Sequence, residues 1–187
     1  MSTSLPVDNS PEAVDDSPQA GRLRDFSNQL AERLKAAPRL AGEPTRLAVR
    51  IGSHSFLVDM ALAGEIVPLA AVTPVPWTRS WFRGLTNVRG RLVGVVDLLE
   101  LSGRAPLPAD QAYQLLVMGE ALKVNAAVLI TRAFGIRNLK DLDAVDAGAL
   151  GSARWERERY RDLDGTTLAE LDLRELVASD VFASIGV

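Results

Sequence analysis

The sequence predicts a mainly β protein built as a barrel or a pair of barrels. Three observations lead there. From Thr45 onward apolar and polar residues alternate with period two. Glycines and prolines break these runs into short, closely spaced segments. An Asp164-Gly165 pair joins two of them, and Asp-Gly favours the positive-φ turn that links twisted strands.

The elements follow in order. Residues 1–21 are rich in Pro, Ser and Asp and are too polar to bury a core, so a disordered tail is expected. No base precedes Arg22, which argues against a secretory signal. Residues 22–37, "RLRDFSNQLAERLKAA", repeat Leu23, Phe26, Leu30 and Leu34 at helical spacing, and Pro38 stops the pattern. This is an amphipathic helix whose stripe packs on the main domain or on a partner. Acidic residues interrupt its basic face, which argues against a membrane surface. The division expected is 1–44 as tail plus helix and 45–187 as one domain.

In "RLAVRIG", Leu47, Val49 and Ile51 share a face. Gly52-Ser53-His54 reads as a turn. "SFLVDM" then resumes, with Phe56, Val58 and Met60 on one side. "EIVPLAAVTPVP" is extended and broken by prolines. "LTNVRGRLVGVVDLLEL" is strand, turn, strand, with Leu92, Val93, Val95 and Val96 largely buried. "YQLLVMGEALKVNAAVLITRAFGI" is a pair of strands around Gly119. "RYRDLDGTTLAELDL" is a hairpin, and "RELVASDVFASIGV" a short helix and tail.

Composition narrows the function. The chain has 187 residues, no cysteine and a net charge of −3, with pI near 5.3. Disulfides, thiolate metal sites and a catalytic thiol are excluded. A nucleic-acid binder usually carries a basic surplus, which is missing here. No run reaches the roughly 18 apolar residues of a membrane span. His54 is the single histidine, so no multi-histidine metal site can form, and a solvated turn is its expected place. A calcium-loop alignment of Gly165 puts Tyr160 and Leu171 at the liganding ends, and both fail. Neither phosphate-binding glycine motif occurs. "WERERYRD" interleaves aromatics and arginines, but Glu156, Glu158 and Asp162 cancel the charge, so an exposed strand with cross-strand ion pairs is expected. No catalytic, metal or cofactor residues are assigned, and no enzyme is expected.

The stretch 81–98, "WFRGLTNVRGRLVGVVDL", has glycines, Asn87, arginines and Asp97 but no nucleophile or base. Arg89-Gly90 is the natural chain reversal. Asn87 and Asp97 can stitch a purely structural hairpin, with Arg89 solvated. The alternative is a docking surface.

Residues 75–98 resemble the signature of the CheW-like adaptor family, roughly G-x-x-N-x-R-G-x-x-x-P-x-x-D-L. Gly84, Asn87, Arg89, Gly90, Asp97 and Leu98 match in register. Glu65-Ile66 is similar to the family's preceding strand end. "NAAVLITRAFGI" and "YRDLDGTTLAELDL" resemble its later strands, so the likeness spans about residues 45–178. Gly94 stands where the family usually has proline, which loosens that strand; Ala63 replaces a usual valine, and Thr131 a frequent aspartate. The wording is most similar to the PilI branch, which serves twitching motility.

The resemblance implies two SH3-like five-stranded β-barrels packed together, and no catalysis. It implies a cytoplasmic bacterial adaptor at membrane receptor arrays. That adaptor would bridge a chemoreceptor's cytoplasmic tip to the regulatory domain of a CheA-type histidine kinase, with no nucleic acid and no membrane insertion. By match, Ile66 would line a receptor groove, with Leu85, Asn87 and Arg89 close by.

Overall fold

The computed structural model describes residues 45–145 and 153–187. All lie within the unit Glu43–Val187. The helix expected at 22–37 and the tail before it lie outside the described residues.

Two sheets make up the fold, and one is inserted into the other. The chain starts the first sheet with β1 (Thr45–Ile51) and β2 (His54–Asp59). It then leaves to build the whole second sheet: β3 (Ala63–Pro68), β4 (Phe82–Val88), β5 (Arg91–Val96), β6 (Gln114–Met118) and β7 (Ala126–Ile130). It returns with β8 (Arg132–Asn138), β9 (Asp143–Val145), β10 (Glu156–Arg161) and β11 (Thr167–Leu171). Strand order is β8-β1-β2-β11-β10-β9 in the first sheet and β3-β6-β7-β5-β4 in the second. Each sheet has one parallel pair, β2–β11 and β5–β7. Short helices follow β5 (α1, Leu98–Leu101) and β11 (α2, Leu173–Ala178; α3, Asp180–Ala183). Among the described residues no helix is long and apolar enough to cross a membrane.

The expected pair of five-stranded barrels gains one strand, because three-residue β9 pairs with β10. In the six-stranded sheet the edge strands β8 and β9 are consecutive in the chain. A 3-10 turn at Leu139–Asp141 joins them, so the two edges are tied together. In the five-stranded sheet the chain beyond β3 runs beside the opposite edge, β4. Thr73 and Leu85 exchange both backbone hydrogen bonds, at 2.8 and 2.9 Å, and Thr86 Oγ1 donates to Ala71 O at 2.9 Å. Gly84 makes this possible. Its φ is +128°, and a Cβ there would sit 2.2 Å from Thr73 O.

Both faces of β1 and β2 are buried, against different cores. Val49, Ile51, Phe56 and Val58 join the large core, which includes Val95, Leu115, Val128 and Ile130 of the second sheet. Ala48 and Leu57 point the other way, into a small core with Leu142, Tyr160 and Leu168. Met60, expected beside Phe56 and Val58, lies in the turn after β2 and is exposed. His54 opens β2, so the turn itself is only Gly52 and Ser53.

The chain changes sheets between β7 and β8 across one residue, Thr131. Its N–H donates to Arg50 O at 2.7 Å, and its Oγ1 accepts from Gly52 N at 3.0 Å. An aspartate there would also supply an acceptor, so threonine keeps the chemistry. The stretch "NAAVLITRAFGI", expected as one strand, is divided by this switch.

Two further expectations change. Leu92 is 63% exposed, because alternation in β5 turns Val93 and Val95 inward and Leu92 outward. Gly94, read as a loosened strand position, lies beneath Phe82, whose Cε2 would be 2.8 Å from a Cβ at residue 94.

Gly84→Ala should therefore cost roughly 1–3 kcal/mol from overpacking against a backbone carbonyl, with positive-φ strain in addition. Gly90→Ala, with φ +85° but open space around it, carries only the conformational cost of about 1–2 kcal/mol. Urea denaturation of both variants checks the order.

Candidate docking site

The β4–β5 hairpin turns through Arg89 and Gly90, with φ of +52° and +85°. Two successive left-handed residues suit the natural twist of a two-residue hairpin. Asn87 Oδ1 accepts from Gly90 N at 2.8 Å and fixes the turn. Arg89 then reaches the opposite edge of the sheet. Its Nε lies 3.0 Å from Glu65 Oε2 on β3, and Arg91 Nη2 lies 4.0 Å from the other oxygen. One carboxylate thus ties the hairpin to β3, beside Ile66.

Magnitudes show what this does for stability. The Arg89 side chain is 78% exposed. A surface ion pair contributes about 0–1 kcal/mol. A left-handed backbone at a non-glycine residue costs roughly 1–2 kcal/mol. The ion pair therefore does not offset the backbone cost of the turn.

The predicted residues divide as follows. Asn87 and Arg89 come together in the turn. Ile66 is half-buried and packs against the large core next to Glu65. Leu85 is half-buried, two residues before Asn87 on the same outward face of β4, and its backbone is engaged by Thr73. Leu92 pairs across from Asn87 and adds exposed apolar surface. Glu65 was read only as part of a motif, since nothing in the sequence announces a partner 24 residues away. Asp97 is more than a stitch: it is fully buried and receives hydrogen bonds from Leu99 N, Glu100 N and Leu107 N at 3.1, 3.2 and 2.8 Å. Arg83 Nη2 donates to it at 2.6 Å, and sequence reasoning gave Arg83 no role.

"WERERYRD" departs from the exposed strand expected. Glu156 is buried and holds Arg104 in a two-pronged ion pair, its Oε2 2.8 Å from Arg104 Nη2. That hydrogen bond raises Arg104 above its usual value. Trp155 Nε1 donates to Ser102 Oγ at 3.3 Å. These contacts join the loop after α1 to β10, so the two sheets are linked by polar groups as well as by the large core. Arg157 does pair with acids of the following segment, Asp172 at 3.1 Å and Glu175 at 3.5 Å. Tyr160 is pushed up to about 12 by burial and by its hydrogen bond to Glu158.

His54 stacks near Phe56, with ring centroids 6.4 Å apart. Desolvation, and then the charge of Arg104, lowers its pKa below 6.5. A base whose folded pKa is lowered takes up its proton more readily when unfolded. Stability therefore falls as pH drops through the unfolded value of about 6.5. Denaturation midpoints measured between about pH 7.5 and 5.5 should show this decline in the native chain. The His54→Gln variant should lose that component.

Residues 46–181 match the family model described as CheW-like domain. Protein PilI of Pseudomonas aeruginosa is 29% identical over 110 residues, covering 59% of this chain and 61% of PilI. Chemotaxis protein CheW of Thermotoga maritima is 23% identical over 95 residues, covering 51% of this chain and 62% of that protein. The chain thus spans about three-fifths of the length of these relatives. The crystal structure of scaffolding protein TtCheW from Thermoanaerobacter tengcongensis has the same fold. It superposes with a TM-score of 0.61 at 13% identity, over 74% of this chain and 90% of that one.

Proposed function

Because the chain belongs to the CheW-like domain family, we propose that it is a non-catalytic adaptor. It couples the cytoplasmic tip of a methyl-accepting chemoreceptor to the regulatory domain of a CheA-type histidine kinase. Residues 45–187 form the adaptor domain, which works in the bacterial cytoplasm beside the receptor arrays. The similarity to PilI favours a system that controls type IV pilus twitching motility. The similarity to chemotaxis protein CheW keeps flagellar chemotaxis as a second reading.

The observation that carries the proposal is Arg89. It is exposed, held in a left-handed turn and aimed along the edge that bears Glu65 and Ile66, at a stability cost the ion pair does not offset. A guanidinium has five donors, so it can keep Glu65 and still bond a receptor helix. Ile66, Leu85 and Leu92 supply the apolar contact, and Asn87 holds the turn. Such an adaptor transmits only the difference in affinity it has for two receptor states.

Titration against a receptor-tip fragment tests this reading. Arg89→Ala should weaken binding about tenfold or more, some 1.4 kcal/mol, while unfolding stability changes by less than about 0.5 kcal/mol. Unchanged affinity would remove Arg89 from the docking surface. A chain lacking residues 1–40 should bind the kinase domain as the full chain does; lost binding would assign the N-terminal segment a direct part.

A further inference from the structure

A small pocket lies beside the Arg89–Glu65 pair. Arg91, Glu120, Lys123 and Val124 are among the residues that line it, and its volume is about 270 Å3. Val93 and Val117 close its inner side; both are buried in the large core and leave an occupant little to touch. The half-buried Val124 is the apolar surface within reach.

The groups that select an occupant are open to solvent. The Arg91 side chain is 51% exposed. Its Nη2 lies 4.0 Å from Glu65 Oε1, the far limit of an ion pair, while Arg89 holds the other oxygen at 3.0 Å. Arg91 therefore keeps most of its five donors to offer. Lys123 is exposed and ends the 3-10 turn Glu120–Leu122. Around this pocket Arg89, Arg91 and Lys123 stand against Glu65 and Glu120, three bases to two acids. The chain as a whole carries a net charge of −3, so this basic surplus is local. Its electrostatic complement is an acid. A carboxylate answers the two cations, and a short hydrocarbon stem covers Val124. A glutamate side chain has both.

We propose that this pocket receives a glutamate side chain of the chemoreceptor tip, with its carboxylate on Arg91 and Lys123 and its methylenes against Val124. The inference rests on the adaptor reading and deepens it. Arg91 shares Glu65 with Arg89, so the receptor segment that meets the Arg89 turn is the one within reach of the pocket. Glu120, the acid on the rim, opposes the incoming charge and limits the affinity.

Titration against the same receptor-tip fragment, at low salt, tests this. Lys123→Glu should weaken binding about tenfold or more, some 1.4 kcal/mol. Glu120→Gln should tighten it about twofold, as suits an exposed charge. Both residues are exposed, so the urea midpoints should hold. Raising the salt to about 0.5 M should shrink both effects. A scan that changes each glutamate of the fragment to lysine should contain one change that restores binding to the Lys123→Glu chain and weakens binding to the native one. If Arg89→Ala weakens the fragment but Lys123→Glu does not, this inference is overturned and the adaptor reading stands. A scan with no restoring change overturns the glutamate in the same way. A native chain that does not bind the fragment overturns the receptor half of the adaptor reading, and this proposal with it.

Discussion

The buried carboxylate of Asp97 is the interaction on which the second sheet and its surroundings depend. A charge with no solvent exposure is tolerated only when its hydrogen-bonding capacity is filled. Asp97 meets that condition by gathering four elements. It caps α1 through two backbone N–H groups, takes the Leu107 N–H and takes Arg83 from β4. Its own N–H donates to Trp81 O at 2.9 Å. The start of β4, the end of β5, α1 and the loop to β6 are therefore fixed at one point. The register of the β4–β5 hairpin follows from that anchor, and with it the position of Arg89 at the far end.

Much of this was legible in the sequence, and the gaps have physical causes. Period-two runs with Gly and Asp-Gly turns located the hairpins, and Gly165 does carry the positive φ its turn needs. The insertion of one sheet inside the other was not legible, because strand pairing across the chain leaves no local pattern. Alternation also lost its meaning where both faces of a strand are covered, as at Val49 and Ala48, which serve different cores. It failed in the opposite sense at Leu92, an apolar residue left outside. Glu156 looked like one more surface acid until Arg104, 52 residues earlier, was seen to reach it.

The residues of the proposed docking surface show the same division. Asn87 and Arg89 were marked by the turn motif, whose chemistry is local. Glu65 and Arg83 were not, because each matters through a partner set by tertiary structure. Gly94 and Thr131 look like departures from the family pattern, yet each has a local purpose. Gly94 makes room for Phe82, and Thr131 keeps a hydrogen-bond acceptor where the chain crosses between sheets.

An adaptor must hold two partners at once, which requires surfaces that do not overlap. Analytical ultracentrifugation of the protein with a receptor-tip fragment and a kinase regulatory domain tests this most directly. The account predicts one sedimenting species that contains all three components. Displacement of one partner by the other, or no complex with either, would contradict it.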